Sequence, residues 1–493
     1  ACLWLPRRAN YQKYQVANFA MELQLILDGR HDLVGQLYRQ LRDAILHGRL
    51  ATGDRLPATR YLAERLEVSR KTVSEAYERL ASEGFLEGRV GSGTFVARGP
   101  AGEAPPQRAD GPLRPAARWA RIEPQSGLMD QRAPLRYSFA GGTTDKRRFP
   151  FDTWRTCVLQ ALRLQQRSPA FYKETEGDPE LRLAISRYLA INRAVQCDWN
   201  ALMVTQGAQQ GLDLLARVML DPGDLAVVEE PGYPPARASL LATGAEVRGV
   251  PVDAEGLRVD LLPDNAKLVY VTPSHQFPLG MPMSLERRLQ LLDWAQRHRA
   301  LIIEDDYDSE YRFDGRSLES LRSLDRNGQV AYLGTFSKTL FPELRLGYLL
   351  PPASLREAVL AARKLVDRHS ETLQQRALAL FIQRGDFARH TRRLQREYAQ
   401  RRGRLLERLH GDLSPWLEAL PAVAGIHLAA RCREPLDVLR IARHLRQQGL
   451  EVGTLPPFYA ETPAQAGFLF GFGCIERDDI DPALDLLRAE LRR

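Results

Sequence analysis

Cysteine is scarce in this chain of 493 residues. Cys2, Cys157, Cys197, Cys432 and Cys474 are scattered and odd in number, without metal-ligand spacing. They exclude a disulfide framework, and no metal site is assigned. Long apolar runs are also missing: none approaches the ~20 residues that cross a bilayer, and the first residues lack a signal-peptide core. A cytoplasmic protein with reduced thiols is the expectation. An excess of one charge is absent where a nucleic-acid-binding region would use it, because residues 31–98 hold 11 Lys and Arg against 9 Asp and Glu. The net charge of +8 permits such binding but does not establish it. What is present is 44% hydrophobic and 26% charged residues, the balance of a folded globular protein, over a length that calls for two or three domains.

The chemistry concentrates around Gly334-Thr335-Phe336-Ser337-Lys338, a turn closing an apolar strand, with Arg345 seven residues beyond the lysine. A lysine beside hydroxyls and backbone donors that hold a phosphate is placed to form a Schiff base with a cofactor aldehyde. Alone, such a lysine also reads as a surface charge. Upstream, the strand Ala300-Leu301-Ile302-Ile303 runs into Glu304-Asp305-Asp306-Tyr307. Open α/β sheets bind ligands at the carboxyl ends of their strands. There Asp305 offers an anion to a pyridinium nitrogen and Tyr307 a donor to a ring oxygen.

Two further stretches complete a pocket. The strand Ala201–Thr205 leads into Gln206-Gly207-Ala208-Gln209-Gln210-Gly211, a helix start whose free N–H groups and positive dipole end suit a phosphate. Leu225–Glu230 is a strand ending in Pro231-Gly232-Tyr233, and the Tyr233 ring can stack on a flat heterocycle or simply pack.

In this order, on alternating strands and helices, these residues resemble the fold-type-I pyridoxal-phosphate enzymes of the aspartate aminotransferase superfamily, over about residues 136–493. The resemblance implies pyridoxal 5'-phosphate on Lys338, with Asp305 at the pyridine nitrogen, Tyr307 at the ring oxygen and Tyr233 stacked. It puts the phosphate on Gly207, Ala208, Gln209, Thr335, Ser337 and Arg345, and makes Tyr172 the tyrosine that reaches a neighbouring subunit's phosphate. Two departures stand out. The usual Asn-Pro-Thr-Gly segment reads Phe277-Pro278-Leu279-Gly280, with His275 just before it as a residue lining the ring. Where the family carries a carboxylate-clamping arginine in an Arg-Leu-x-Phe-like strand, this chain has Phe468-Leu469-Phe470-Gly471-Phe472. An effector lacking that carboxylate, or the cofactor itself, is therefore expected over an amino acid undergoing transamination.

The first hundred residues carry a different pattern. Leu33, Leu37, Leu41 and Ile45 recur at helical spacing up to His47-Gly48. A short helix begins near Thr59, and after Glu67-Val68 a second begins with Ser69 as N-cap. This is helix-turn-helix spacing, and Phe85–Val96 alternates around a glycine turn as a β-hairpin wing. The block resembles the winged-helix DNA-binding domain of the GntR family through Gly48-Arg49-Leu50, Gly53-Asp54-Arg55-Leu56-Pro57, Arg60-Tyr61-Leu62-Ala63, Val68–Val73 and Gly91-Ser92-Gly93-Thr94. The resemblance implies that Arg60, Ser69, Arg70, Lys71, Thr72 and Ser74 serve the DNA interface and that Gly93 sits at the wing tip.

Residues 1–20 read as an extension, 21–98 as the winged helix, and 99–135, rich in Pro, Gly, Ala and Arg, as a flexible linker. Residues 136–493 read as an α/β domain with a small C-terminal subdomain, with two long helices after Leu355. The second of these is basic, and its charges are expected to be solvated. The two halves together resemble the MocR-type bacterial regulators. That implies a head-to-tail homodimer on double-stranded operator DNA, answering a small-molecule effector that is an amine or amino acid, or pyridoxal phosphate itself. The alternative reading is an active aminotransferase with a vestigial DNA-binding domain.

Overall fold

The computed structural model describes residues 13–15, 24–29, 31–97, 115–122, 135–139, 141–313 and 319–493. It divides into two compact units, Ala1–Arg114 and Pro115–Arg493. Most of the expected linker, including 99–114 and 123–134, lies outside the described residues. Its described part holds a 3-10 turn, Ala117–Arg121.

In the first unit, β1 (Lys13–Gln15) pairs antiparallel with β2 (Gln24–Ile26), so part of the stretch read as an extension forms a strand. Helix Leu33–Leu46 follows, its N-cap Asp32 accepting from the Gly35 N–H at 3.2 Å. Helices Thr59–Arg65 and Arg70–Ser82 come next. The hairpin of β3 (Leu86–Arg89) and β4 (Gly93–Val96) completes the unit. Leu37 and Leu41 on the first helix, Leu62 on the second, Val73 and Leu80 on the third, and Leu86 and Val96 on the hairpin meet in one core. Each such fully buried side chain contributes about 1.5–3 kcal/mol.

The second unit is built on β6 (Met203–Thr205), β7 (Leu225–Glu230), β8 (Glu246–Asp253), β9 (Gly256–Leu257), β10 (Ala266–Val271), β11 (Leu301–Asp306), β12 (Val330–Thr335) and β13 (Gly347–Leu350). With β5 (Tyr137–Phe139) lying elsewhere, their order is β6-β13-β12-β11-β10-β7-β8-β9. The five strands from β12 through β8 are mutually parallel, and β13 is antiparallel to both neighbours. Alternation along β7 sends Ala226 and Val228 to one core and Val227 to the other. Apolar strands of this kind are covered by helices on both faces.

After β13 come three helices, Arg356–Asp367, Thr372–Gln383 and Asp386–His410, where the sequence suggested two. The chain turns at Arg368 (φ +60°) and Gly385 (φ +75°). A second sheet holds β14 (Leu417–Ala419), β15 (His427–Cys432), β16 (Leu450–Thr454) and β17 (Gly467–Gly471), in the order β14-β15-β17-β16-β5. Its last strand, β5, comes from far upstream and runs parallel to β16. Among the described residues no helix is long and apolar enough to cross a membrane.

Candidate functional site

The strands converge on one end of the large sheet. Alternation along β11 turns Glu304 and Asp306 to one face and Asp305 to the other. Glu304 accepts from the N–H groups of Leu321 and Arg322 at 2.9 and 2.8 Å, and Asp306 meets the Arg193 guanidinium at 2.7 Å. Asp305 is buried; its Oδ2 accepts from the Tyr270 hydroxyl at 2.6 Å, and its Oδ1 has no partner. Burial pushes the Asp305 carboxyl up to about 6, against the lowering effects of the Tyr270 hydrogen bond and of Lys338.

Lys338 is half-buried, and its Nζ donates to the Gly142 carbonyl at 2.6 Å. Burial lowers the pKa of its ammonium, while Asp308 and Asp305 act in the opposite direction. Beside it, Thr335 Oγ1 donates to Ser337 Oγ at 3.0 Å and accepts from the Ser337 N–H at 3.2 Å. Thr205, Gly347 and Thr335 lie in one row across β6, β13 and β12, so the turn after β6 stands near this hydroxyl pair. The approach is close enough that a Cβ on Gly347 would sit 2.8 Å from both the Gly207 carbonyl carbon and the Gly334 oxygen.

Gly207 (φ +76°) caps helix Ala208–Met219, which no side chain caps, leaving its first N–H groups open. The exposed Arg345 lies against this turn, donating to the Gln206 carbonyl at 2.9 Å. The Gln209 side chain is committed to Ser239 Oγ at 2.5 Å, so Gln209 offers its backbone and not its amide to a ligand at the turn. Tyr233 is the N-cap residue of helix Pro234–Ala242, its ring edge-on to Phe277 at 5.6 Å. Burial pushes its phenol up to about 12.

Tyr307 donates to the His275 carbonyl at 2.9 Å and stands 3.1 Å from His275 Nδ1. His275 is buried and bound to Asp308 at 3.0 Å, so it supports Tyr307 and Asp308 from behind as well as bordering the pocket. Tyr172 is not gathered with the others in this chain: it is exposed, with Arg368 over its ring at 4.8 Å. Tyr270, Gly142 and Asp308 belong to the site and were missed from sequence, as was His427, which packs beside it against His275 and Tyr307. Tyr270 sits in an ordinary apolar strand, and Gly142 and His427 are brought in from segments far away along the chain.

In the first unit Ser69 caps helix Arg70–Ser82, accepting from the Thr72 N–H at 3.0 Å. Arg60, Ser69, Arg70 and Lys71 are exposed, and Thr72 and Ser74 are half-exposed. Gly93 does not form the wing apex. It pairs with Arg89 at φ +114°, and the turn itself is Val90-Gly91-Ser92, with Val90 fully exposed.

Residues 143–464 match the family model of aminotransferases of class I and II, and residues 33–96 match that of the bacterial regulatory proteins of the gntR family. The chain is 38% identical to the probable rhizopine catabolism regulatory protein MocR of Rhizobium meliloti, over 94% of this chain and 95% of that protein. It is 40% identical to the HTH-type transcriptional regulator TauR of Rhodobacter capsulatus, over 82% and 88% of the two chains. Among solved structures it resembles an archaeal alanine:glyoxylate aminotransferase at a TM-score of 0.70 and 28% identity, over 76% of this chain and 98% of that one. Pyridoxal phosphate is the cofactor of this fold. The residues present suit it: a lysine amine, an unpaired buried carboxylate oxygen and an uncapped helix start lie at one sheet end. With a winged helix at one end and an aminotransferase domain behind it, matched over nearly its whole length by regulators of that build, the chain belongs to the MocR-type subfamily of GntR regulators.

Proposed function

We propose that this protein is a bacterial transcription factor whose aminotransferase-like domain holds pyridoxal 5'-phosphate and sets the operator affinity of its winged helix. In this reading residues 21–98 bind DNA, 99–135 form the tether and 136–493 form the sensor. It acts as a head-to-tail homodimer in the cytoplasm, on the nucleoid when bound to DNA. A two-fold dimer suits paired half-sites.

When bound, the cofactor supplies an aldehyde and an electron-withdrawing ring. Lys338 would exchange the Gly142 carbonyl for that aldehyde, and Asp305 Oδ1 would accept the ring N–H. Tyr307 would trade the His275 carbonyl for the ring oxygen, with Tyr233 against the ring face. The N–H groups of Ala208 and Gln209, the hydroxyls of Thr335 and Ser337, and Arg345 would receive the phosphate. Tyr172 would serve the neighbouring subunit. The effector is an amine without an α-carboxylate, or the cofactor itself. Leu469, buried against Leu279, Met281 and Phe458, supports that choice, as does a 33%-identical Corynebacterium glutamicum relative named as a pyridoxine biosynthesis regulator.

The observation that carries the reading is that a half-buried Lys338 amine and the orphaned Asp305 Oδ1 stand at the same end of the sheet. Lys338→Ala should lose the visible absorbance of the cofactor-loaded protein and keep the melting profile of the cofactor-free wild type; an unchanged band would refute the assignment. Sustained turnover of amino acids by the wild type would favour an aminotransferase instead.

A further inference from the structure

His275 and His427 lie side by side, ring centroids 4.4 Å apart, each 1% exposed. Both are anchored through Nδ1. His275 Nδ1 binds the Asp308 carboxylate at 3.0 Å, and the His427 ring is hydrogen-bonded to the Pro278 carbonyl. Both Nε2 atoms are buried without a partner. In neutral His427, with its other nitrogen anchored, Nε2 is left as a lone pair. Burial holds His427 well below its ordinary pKa, with His275 and Lys338 acting in the same direction, so this imidazole is neutral.

A buried polar atom left unpaired is costly, and neither ring can flip to satisfy it without breaking its anchor. The orphaned Asp305 Oδ1 finds its partner in the ring nitrogen of the cofactor under the proposed function; the two imidazoles find none there. The pair adjoins the pocket on the phenol side, with Tyr307 stacked 5.8 Å from His275 and 6.5 Å from His427. Phe277 stands edge-on to His427 at 5.5 Å. An anion placed there would meet Asp308 and the His427 lone pair. A hydroxyl or ammonium group would meet acceptors.

Resting on the reading of Lys338 as the cofactor lysine, we infer that His427, packed against His275, forms the specificity end of the effector site and accepts a hydrogen bond from a second donor group. The effector class is an amino alcohol or a diamine, its first amine directed to the cofactor and its second donor to His427. An amino acid is disfavoured.

The test is a titration of the full-length, cofactor-loaded protein followed by the visible band. The probes are n-alkylamines, amino alcohols, diamines and ω-amino acids, each with two- to four-carbon spacers. At the best spacer, the amino alcohol or diamine should bind about tenfold more tightly than the matching alkylamine, and the ω-amino acid more weakly than either. His427→Phe keeps a ring and removes the lone pair. It should retain the cofactor band and its melting temperature while losing the tenfold preference, and His427→Gln should restore part of it. Equal affinity of alkylamine and amino alcohol at every spacer, or a preference that survives His427→Phe, would overturn the inference. So would stoichiometric zinc in the purified protein, which would assign the histidine pair and Asp308 to a metal. A protein with no cofactor band at all would instead sink the reading of Lys338.

Discussion

Asp305 holds one oxygen against Tyr270 and leaves the other buried and unpaired, a state that a cofactor-free chain keeps at a cost. Its carboxyl is pushed from 3.8 up to about 6, and burial likewise pushes Glu229 up to about 7. The folded chain therefore binds these protons more tightly than the unfolded one. Their contribution to stability is fully present below the ordinary carboxylate range and is lost as pH rises through the raised values. Melting temperatures of the cofactor-free protein should fall as pH rises from about 4 through about 7 on this account. Loading the cofactor should shrink the fall, because a cationic ring nitrogen stabilises ionised Asp305. A fall of equal size with and without cofactor would contradict the pairing. Asp305→Asn should weaken cofactor binding by about 1.5–3 kcal/mol, the range for a hydrogen bond to a charged group. Equilibrium dialysis measures it. The reactive side chains were legible in the sequence because each follows a strand end, where alternation and turn residues mark the position. Their supports were not. Tyr270 carries no local signal, and the Gly142 carbonyl and His427 arrive by long-range folding.

At the scale of elements, helix Arg70–Ser82 depends on its cap. Ser69→Ala should cost the winged-helix unit about 1 kcal/mol, read from chemical denaturation of the isolated change in the full chain. The exposed Lys71 is expected to touch phosphate and not a base. Lys71→Ala should then weaken binding to all sequences alike and lower the slope of log affinity against log salt by about 0.9. A loss confined to the operator would make Lys71 a base reader. Both helices of this motif were readable, since Leu62, Val73 and Leu80 repeat on one face and Ser69 offers an N-cap. The wing was readable as a hairpin but its apex was misplaced, because glycines at 91 and 93 both suit positive φ and only register separates them. Three helices follow β13 where the sequence suggests two for a related reason: Val366 and Leu373 keep a seven-residue apolar spacing across Arg368–Glu371, and the break there comes from a left-handed arginine that periodicity does not reveal. β5 was invisible, because three residues pairing with a strand more than three hundred positions away leave no pattern of their own.

At the scale of the whole chain, the basic helix Asp386–His410 proves to be a structural tie. Arg401 is fully buried, with Asp145 at 2.9 Å, Glu397 at 3.1 Å and Glu476 at 3.4 Å. Arg408 similarly gathers Asp412, Asp481 and Asp485. The sequence shows a run of arginines with scattered acids nearby and suggests a solvated face; the partners at 145 and 476 become visible only once the small sheet folds back on the helix. Arg401→Met would leave Asp145 to Arg147 and Arg148, at 2.9 and 3.1 Å, and should cost about 3 kcal/mol, the lower end for breaking a buried pair, measured as a shift in urea denaturation followed by cofactor absorbance. A shift under about 1 kcal/mol would show the arginine to be as dispensable as an exposed pair. The central claim is that the state of the Lys338 site sets the grip on DNA, and the most direct test is fluorescence anisotropy of a labelled fragment from the chain's own promoter region, titrated with cofactor-free, cofactor-loaded and amine-treated protein at one salt concentration. At least one pair of these forms should differ in Kd by about fivefold or more, the lower end of ordinary coupling between sites. Identical affinities across all three forms would contradict it.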